Sequence, residues 1–182
     1  MTETLDGQIS RESSSIGGSE YPTLTMLATR QAFGGTQLAG TPSVPYLFLK
    51  EISSNGNMQT ADVIFPSHPI WLYTNPTLLK LLLDPLYIYQ ESGKYPNQYA
   101  LHDLGTHYPN ATGHDDGKDE PQPLEECGNM IIMTLAYAQR AQDNDYLKAH
   151  YPIMKKWVDF LVLDSITPGN QISTDDFAGA LA

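Results

Sequence analysis

The chain has 182 residues, of which 41% are hydrophobic, and a formal net charge of −11 from 10 Lys and Arg against 21 Asp and Glu. A chain of that length buries about 70% of the surface it would expose unfolded, so one domain with a sizeable core is expected. The charge excludes nucleic acid and anionic membrane surfaces as partners, since both are recognised through clustered cations.

In chain order, residues 1–19 are rich in Ser, Gly and acid and read as a flexible lead-in, with a domain following over 20–182. The opening MTETLDGQIS has neither the basic start nor the apolar centre of a secretory signal, so no signal peptide is expected in this chain. A helix is predicted over 21–33, where Leu24, Leu27, Ala28, Gln31 and Ala32 share a face, and Gly34-Gly35 stops it. Residues 46–49 form a short apolar run that predicts a strand. A turn over 53–57 containing Asn55-Gly56 and a second strand over 58–63 would complete a β-hairpin.

A helix is predicted over 77–90, with Pro76 in its first turn and Leu78, Leu79, Leu82, Leu86 and Tyr89 at helical spacing. Pro85 should kink or split it. The helix over 125–142 is apolar nearly all round between residues 130 and 137 and reads as buried on most faces. Asp143-Asn144-Asp145 supplies the cap of a last helix that turns Leu147, Met154, Trp157, Val158, Leu161 and Val162 inward and ends at Pro168-Gly169. A buried helix followed closely by an amphipathic one is an antiparallel helical hairpin. Several such hairpins arrayed side by side make an α/α toroid whose loops at one end build a site. The expected fold class is mainly α, a partial (α/α)6 toroid with a short β-hairpin. No stretch reaches the roughly 20 apolar residues of a membrane helix.

Residues 99–130, YALHDLGTHYPNATGHDDGKDEPQPLEECGNM, hold three of the five histidines, the only cysteine and seven carboxylates. The stretch is too polar for core and too long for a turn, and reads as an ordered loop that delivers side chains to a helix mouth. Asn110-Ala111-Thr112 is a glycosylation sequon, relevant if the parent protein is secreted.

The runs HDLGTHYPNATGHDDGKDEPQPLEECGNM at 102–130, FLKEIS at 48–53, DVIFP at 62–66 and STDDFAGALA at 173–182 resemble, in the same order, the central domain of the fungal secreted glutaminase A family. The resemblance runs over residues 21–182. It implies a six-hairpin domain related in fold to six-hairpin glycosidases, preceded in full-length members by a β-rich domain. It also implies hydrolysis of L-glutamine to L-glutamate and ammonia outside the cell. Twelve helices with their loops need on the order of 250 residues or more. The chain is therefore expected to hold about half of the ring, inactive for that reason or completed by self-association with a second copy.

Amide hydrolysis needs an attacking group, a proton donor for the leaving ammonia and donors for the oxyanion. Glu125 and Glu126, at the start of the buried helix, are catalytic candidates, and equally ordinary first-turn acids. His102 and Asp103 form a second catalytic pair, with His107, Tyr108, His114 and Asn129 as substrate-binding candidates. Loop histidines also commonly serve backbone carbonyls, and the spacing of these three matches no strict zinc signature. Asp175 and Asp176 are a third catalytic candidate by analogy with sugar-cleaving relatives, or a helix cap. Asp115, Asp116, Asp119 and Glu120 surround a Gly turn and could hold calcium, or form a solvated acidic turn. No other cofactor is implied. Cys127 reads as a buried, inert thiol. Two rival readings stand beside the glutaminase: a non-catalytic interaction or immune-recognised fragment of a secreted fungal protein, and a carbohydrate-active six-hairpin protein with paired carboxylates.

Overall fold

A computed structural model of the chain describes residues 2–51 and 55–167. They form six helices and one hairpin: α1 (Thr2–Gly17), α2 (Tyr21–Gly34), β1 (Thr36–Thr41), β2 (Val44–Leu49), α3 (Ala61–Thr74), α4 (Pro76–Glu91), α5 (Pro123–Ala141) and α6 (Asn144–Asp164). The architecture is mainly helical, as expected for a six-hairpin helical domain. No described helix is long and apolar enough to cross a membrane. The chain divides into two compact units, Met1–Thr36 and Gln37–Ala182.

In the first unit, residues 2–17 are helical where a flexible lead-in was expected. Leu5, Ile9 and Ser13 recur every fourth residue, and Ile9 and Ser13 are buried. The Ser13 hydroxyl shares a 2.7 Å hydrogen bond with Thr25 of α2, and Arg30 reaches Asp6 at 2.6 Å. The Ser-rich composition hid a sparse helical stripe.

In the second unit β2 contains the expected strand, but it pairs with β1 rather than with residues 58–63. The hairpin turn falls at residues 42–43, with Gly40, at φ +84°, near the end of β1. Residues 57–59 do return against β2, through Glu51 N–H to Asn57 O, Gln59 N–H to Leu49 O and a single Lys50–Met58 bridge. Residues 52–54 lie outside the described residues. The chain then enters α3 at Ala61 instead of continuing as a strand. Pro66 and Pro69 are both inside α3. Pro69 deprives the Phe65 carbonyl of its helical donor, and the His68 ring, through Nδ1, supplies a replacement. Both prolines are exposed, so their rings stay out of the packed face.

Asn75 caps α4, accepting from Thr77 N–H at 3.1 Å, with Pro76 at the first position. Pro85 does not split α4, which runs on to Glu91. Leu79, Leu82, Leu83, Leu86 and Tyr87 of α4 are wholly buried, with Trp71 of α3 and Met130 and Met133 of α5. Each such side chain contributes roughly 1.5–3 kcal/mol. Tyr87 stacks on His150 at 3.8 Å and bonds Thr134 at 2.6 Å, tying α4 to α6 and α5. Asp143 caps α6 by accepting from Tyr146 N–H. The pairs α3–α4 and α5–α6 are thus two helical hairpins, with α5 packed against α3, α4 and α6.

Two burial expectations need correction. α5 is buried on one side only: Ile132 is 50% and Leu135 44% exposed, because the neighbouring helices cover a single face. In α6 the inward residues are Tyr146, Met154 and Trp157, while Val158 and Val162 are exposed. The stripe is rotated toward the aromatic residues. Pro168-Gly169 lies outside the described residues; α6 ends at Asp164.

Gln59, wholly buried, joins β2 to α4. Its Oε1 accepts from Leu49 N–H at 2.8 Å, and its amide donates to the carbonyls of Leu47 and Leu82. Gln59→Leu strands one donor and two acceptors. At about 1–3 kcal/mol for each buried group left unsatisfied, urea unfolding should show a loss of at least about 2 kcal/mol. A variant as stable as the wild type would refute the clamp.

Candidate functional site

Residues 102–105 run alongside residues 58–61. Met58 N–H donates to Gly105 O at 2.9 Å, Leu104 N–H to Met58 O at 2.8 Å and Ala61 N–H to His102 O at 2.8 Å. This pairing fixes His102 beside the first turn of α3, where Asp62 lies. Pro123 opens α5 and puts Glu125 and Glu126 in its first turn, a placement the helix dipole favours for acids. The result is a cluster in which one carboxylate oxygen each from Asp62 and Glu126 and a ring nitrogen of His102 lie within 4.8 Å of one another.

His102 is almost wholly buried. Its Nδ1 is 2.7 Å from Asp103 Oδ2, and its Nε2 is 3.6 Å from Asp62 Oδ1 and 4.0 Å from Glu120 Oε2. Asp103 is held in turn by His114 Nε2 at 2.9 Å and by Gly105 N–H. His102 N–H donates to Asp119 Oδ2 at 2.9 Å, and Asp119 also accepts from the Tyr95 hydroxyl. Glu126 is fully buried; its Oε2 accepts from Asn129 at 3.3 Å and its Oε1 has no donor among the described residues.

Burial acts to lower the His102 pKa, but the bond to Asp103, the pair with Asp62 and the charge of Glu126 outweigh it and raise it to about 11. Burial pushes Asp103 up, yet the donors from His102, His114 and Gly105 hold it below the usual carboxylate range. Burial raises Glu126 well above its ordinary value, the charge of Asp62 adds to this, and His102 opposes it. The site therefore pairs a cationic imidazole with carboxyl groups pushed in opposite directions, the arrangement acid–base chemistry uses.

The structure brings together His102, Asp103, His114, Glu126 and Asn129 from the expected set. Glu125 is the neighbour of Glu126 in the same first turn, and its charge raises Glu126 further. His107 and Tyr108 are exposed elsewhere on the loop: His107 meets Thr112 at 3.3 Å, and the Tyr108 hydroxyl bonds Gln37 while its ring lies under Lys50. The acidic run does not converge on one point. Asp115 accepts from Tyr89, Asp116 caps the Lys118 N–H, Asp119 braces His102 and only Glu120 approaches the cluster. Asp175 and Asp176 lie outside the described residues. Cys127 is buried, takes the Ala100 N–H at 3.2 Å and is pushed up to about 12 by burial, as an inert thiol should be.

Asp62 is the residue that sequence reasoning missed. Thr60 two positions before it, and Ala61, Ile64, His68 and Trp71 at helical spacing after Thr60, are the signals, and Pro66 and Pro69 masked them. Two open pockets, of about 310 Å³ (beside Phe48, Tyr89 and Leu104) and about 360 Å³ (beside Lys156 and Phe160), contain none of the cluster residues.

The model of the glutaminase A six helical-hairpin domain matches residues 18–182. The chain belongs to that family. Glutaminase A of Aspergillus oryzae is 66% identical over the whole chain, and a protein of Arthroderma benhamiae named as a probable glutaminase is 39% identical. The chain covers 26% and 28% of these two glutaminase-family relatives, about a quarter of their length. No solved structure matches.

The shifted groups set a pH signature. Stabilisation by protonated His102 is complete below its unfolded value of about 6.5 and is lost as pH rises toward 11. The raised Glu126 acts in the same sense, complete below its unfolded value of about 4.3 and fading as pH climbs. Depressed Asp103 acts oppositely, its stabilisation present above about 3.9 and lost in stronger acid. Stability should peak in mild acid, around pH 4–6, and decline from pH 6 to 9. His102→Gln should flatten most of that slope. Urea unfolding across this range checks it, and a level wild-type profile would count against the charged imidazole.

Proposed function

We propose that this chain is part of a glutaminase-type amidohydrolase that converts L-glutamine to L-glutamate and ammonia, in a parent protein that works outside the cell. The observation that carries the reading is the Asp62–His102–Glu126 cluster, in a chain of the glutaminase A family. Hydrolysis of an amide requires a proton for departing ammonia and a base for attacking water. Glu126, whose carboxyl burial pushes well above its ordinary value and whose Oε1 has no hydrogen-bond donor among the described residues, suits the proton donor. Asp62, 15% exposed at its side chain, is the more open carboxylate and suits the base. His102, within 4.8 Å of both, stabilises charge as it moves from one to the other.

The purified chain should release ammonia from L-glutamine above a boiled control. Glu126→Gln and His102→Gln should each slow release about 10²–10⁴-fold, while Lys148→Ala, on the exposed side of α6, should leave it unchanged. Absence of release from the wild type would overturn the reading for this chain. Self-association is a second reading, favoured by the exposed apolar residues Ile132 and Leu135 on α5 and Val162 and Leu163 on α6. Light scattering should then give a mass above that of one chain, and a monodisperse single-chain mass would remove it.

A further inference from the structure

We infer that Asp62, His102 and Glu126 form a binding site for a divalent transition-metal cation of the zinc class. The donor set is one imidazole nitrogen and two carboxylate oxygens within 4.8 Å of one another, with Glu120 Oε2, 4.0 Å from the imidazole, as a third oxygen and fourth donor. Proximity alone would not distinguish this from an acidic cluster. Two further features do. Glu126 is wholly buried, yet its Oε1 has no hydrogen-bond donor among the described residues, and Asp62 Oδ1 faces His102 Nε2 from 3.6 Å, beyond hydrogen-bond distance. A buried carboxylate oxygen left without a donor costs several kcal/mol by desolvation unless a cation or water meets it. The second feature is the orientation of His102. Its Nδ1 is committed to Asp103 at 2.7 Å, and Asp103 is itself fixed by His114 and Gly105 N–H. A carboxylate behind one ring nitrogen orients the ring, so that the other, here Nε2, becomes a metal ligand when the arriving cation displaces the proton it carries in the metal-free protein.

Nε2 and Asp62 Oδ1 are 3.6 Å apart. Two ligands each about 2.0–2.1 Å from a tetrahedral zinc lie about 3.4 Å apart, so these two atoms need to move very little. An imidazole donor favours zinc, copper, iron or nickel over calcium and magnesium, which prefer sites made wholly of oxygen. Asp62 and Glu120 are the solvent-facing members and leave the entry path. The site shares side chains with the proposed hydrolase but rests on their geometry rather than on that reaction, so the two stand or fall separately.

Calorimetry of the full 182-residue chain with zinc chloride is the test, with thermal unfolding as a second readout. One equivalent should bind and raise the melting temperature. Asp62→Asn and Glu126→Gln should each weaken binding by at least about tenfold, and Asp103→Asn, which only orients the ring, by about 10–100-fold. His107→Ala should bind as the wild type does, and calcium at the same concentration should neither bind nor compete. Absence of zinc binding by the wild type overturns the inference. So does binding that survives in Asp62→Asn and Glu126→Gln but falls in His107→Ala, or a preference for calcium. Because the wild-type measurement stands first, a misfolded variant does not shelter the proposal. Zinc binding without ammonia release would leave the metal site standing and remove the hydrolase from this chain.

Discussion

The candidate site depends on three main-chain hydrogen bonds between residues 58–61 and 102–105. They join the two ends of a long excursion through α3 and α4, and they do so without a named strand. Once Ala61 N–H is bound to His102 O, the first turn of α3 and the imidazole have to be neighbours. Gln59 secures one side of this pairing through β2 and α4, and Gln90, whose side-chain oxygen takes the Leu101 N–H, secures the other. The site is therefore placed by backbone geometry and two buried amides, and its charged groups are not needed to find one another.

That separation matters because the charged groups would be poor at holding themselves together. A buried ion pair must recover the hydration both partners lose, and replacing such pairs with packed apolar residues is often neutral or stabilising. Here the difficulty is reduced by geometry. Acidic side chains of α3 and α5 sit in first turns, where unsatisfied backbone N–H groups and the helix dipole offset some of their charge. His102 supplies the compensating cation, and Glu126 adjusts by taking a proton. The loop that carries His102 is stiffened from outside by Asp119, which bonds both its backbone and Tyr95.

Much of this was legible in the sequence, and the failures have definite causes. The α5–α6 hairpin, the Asn75 and Asp143 caps and the importance of residues 102–126 follow from helical spacing and the concentration of titratable groups. His102, Asp103 and Glu126, which the structure brings together, stand out in the sequence because adjacent His-Asp and first-turn acids are local signals. Asp62 was not found, because two prolines concealed its helix and no local signal says that a residue forty positions earlier in the chain faces a given histidine. The acidic run from Asp115 to Glu120 looked like one site by composition. Side-chain direction in a turn alternates too freely for composition to decide, and each acid went to a different donor. The exposed face of α5 was unreadable for a related reason: hydrophobicity shows what can be buried, while the neighbours decide what is.

The same distinction bears on why the cluster persists at all. Apolar packing surrounds it: Leu101, Leu104 and Met130 are buried next to it along the chain, and the helices are anchored by Tyr87, Trp71 and Trp157. Apolar residues at positions 62 and 126 would spare the fold two buried carboxylate oxygens that lack hydrogen-bond donors among the described residues. A fold selected only for stability has no reason to keep such groups, whereas perturbed titratable clusters are what catalytic and ligand sites require. The cost is concentrated in side chains that touch one another and is absent from the backbone that positions them. That is the distribution expected of a rigid scaffold carrying a site whose demands conflict with its own stability.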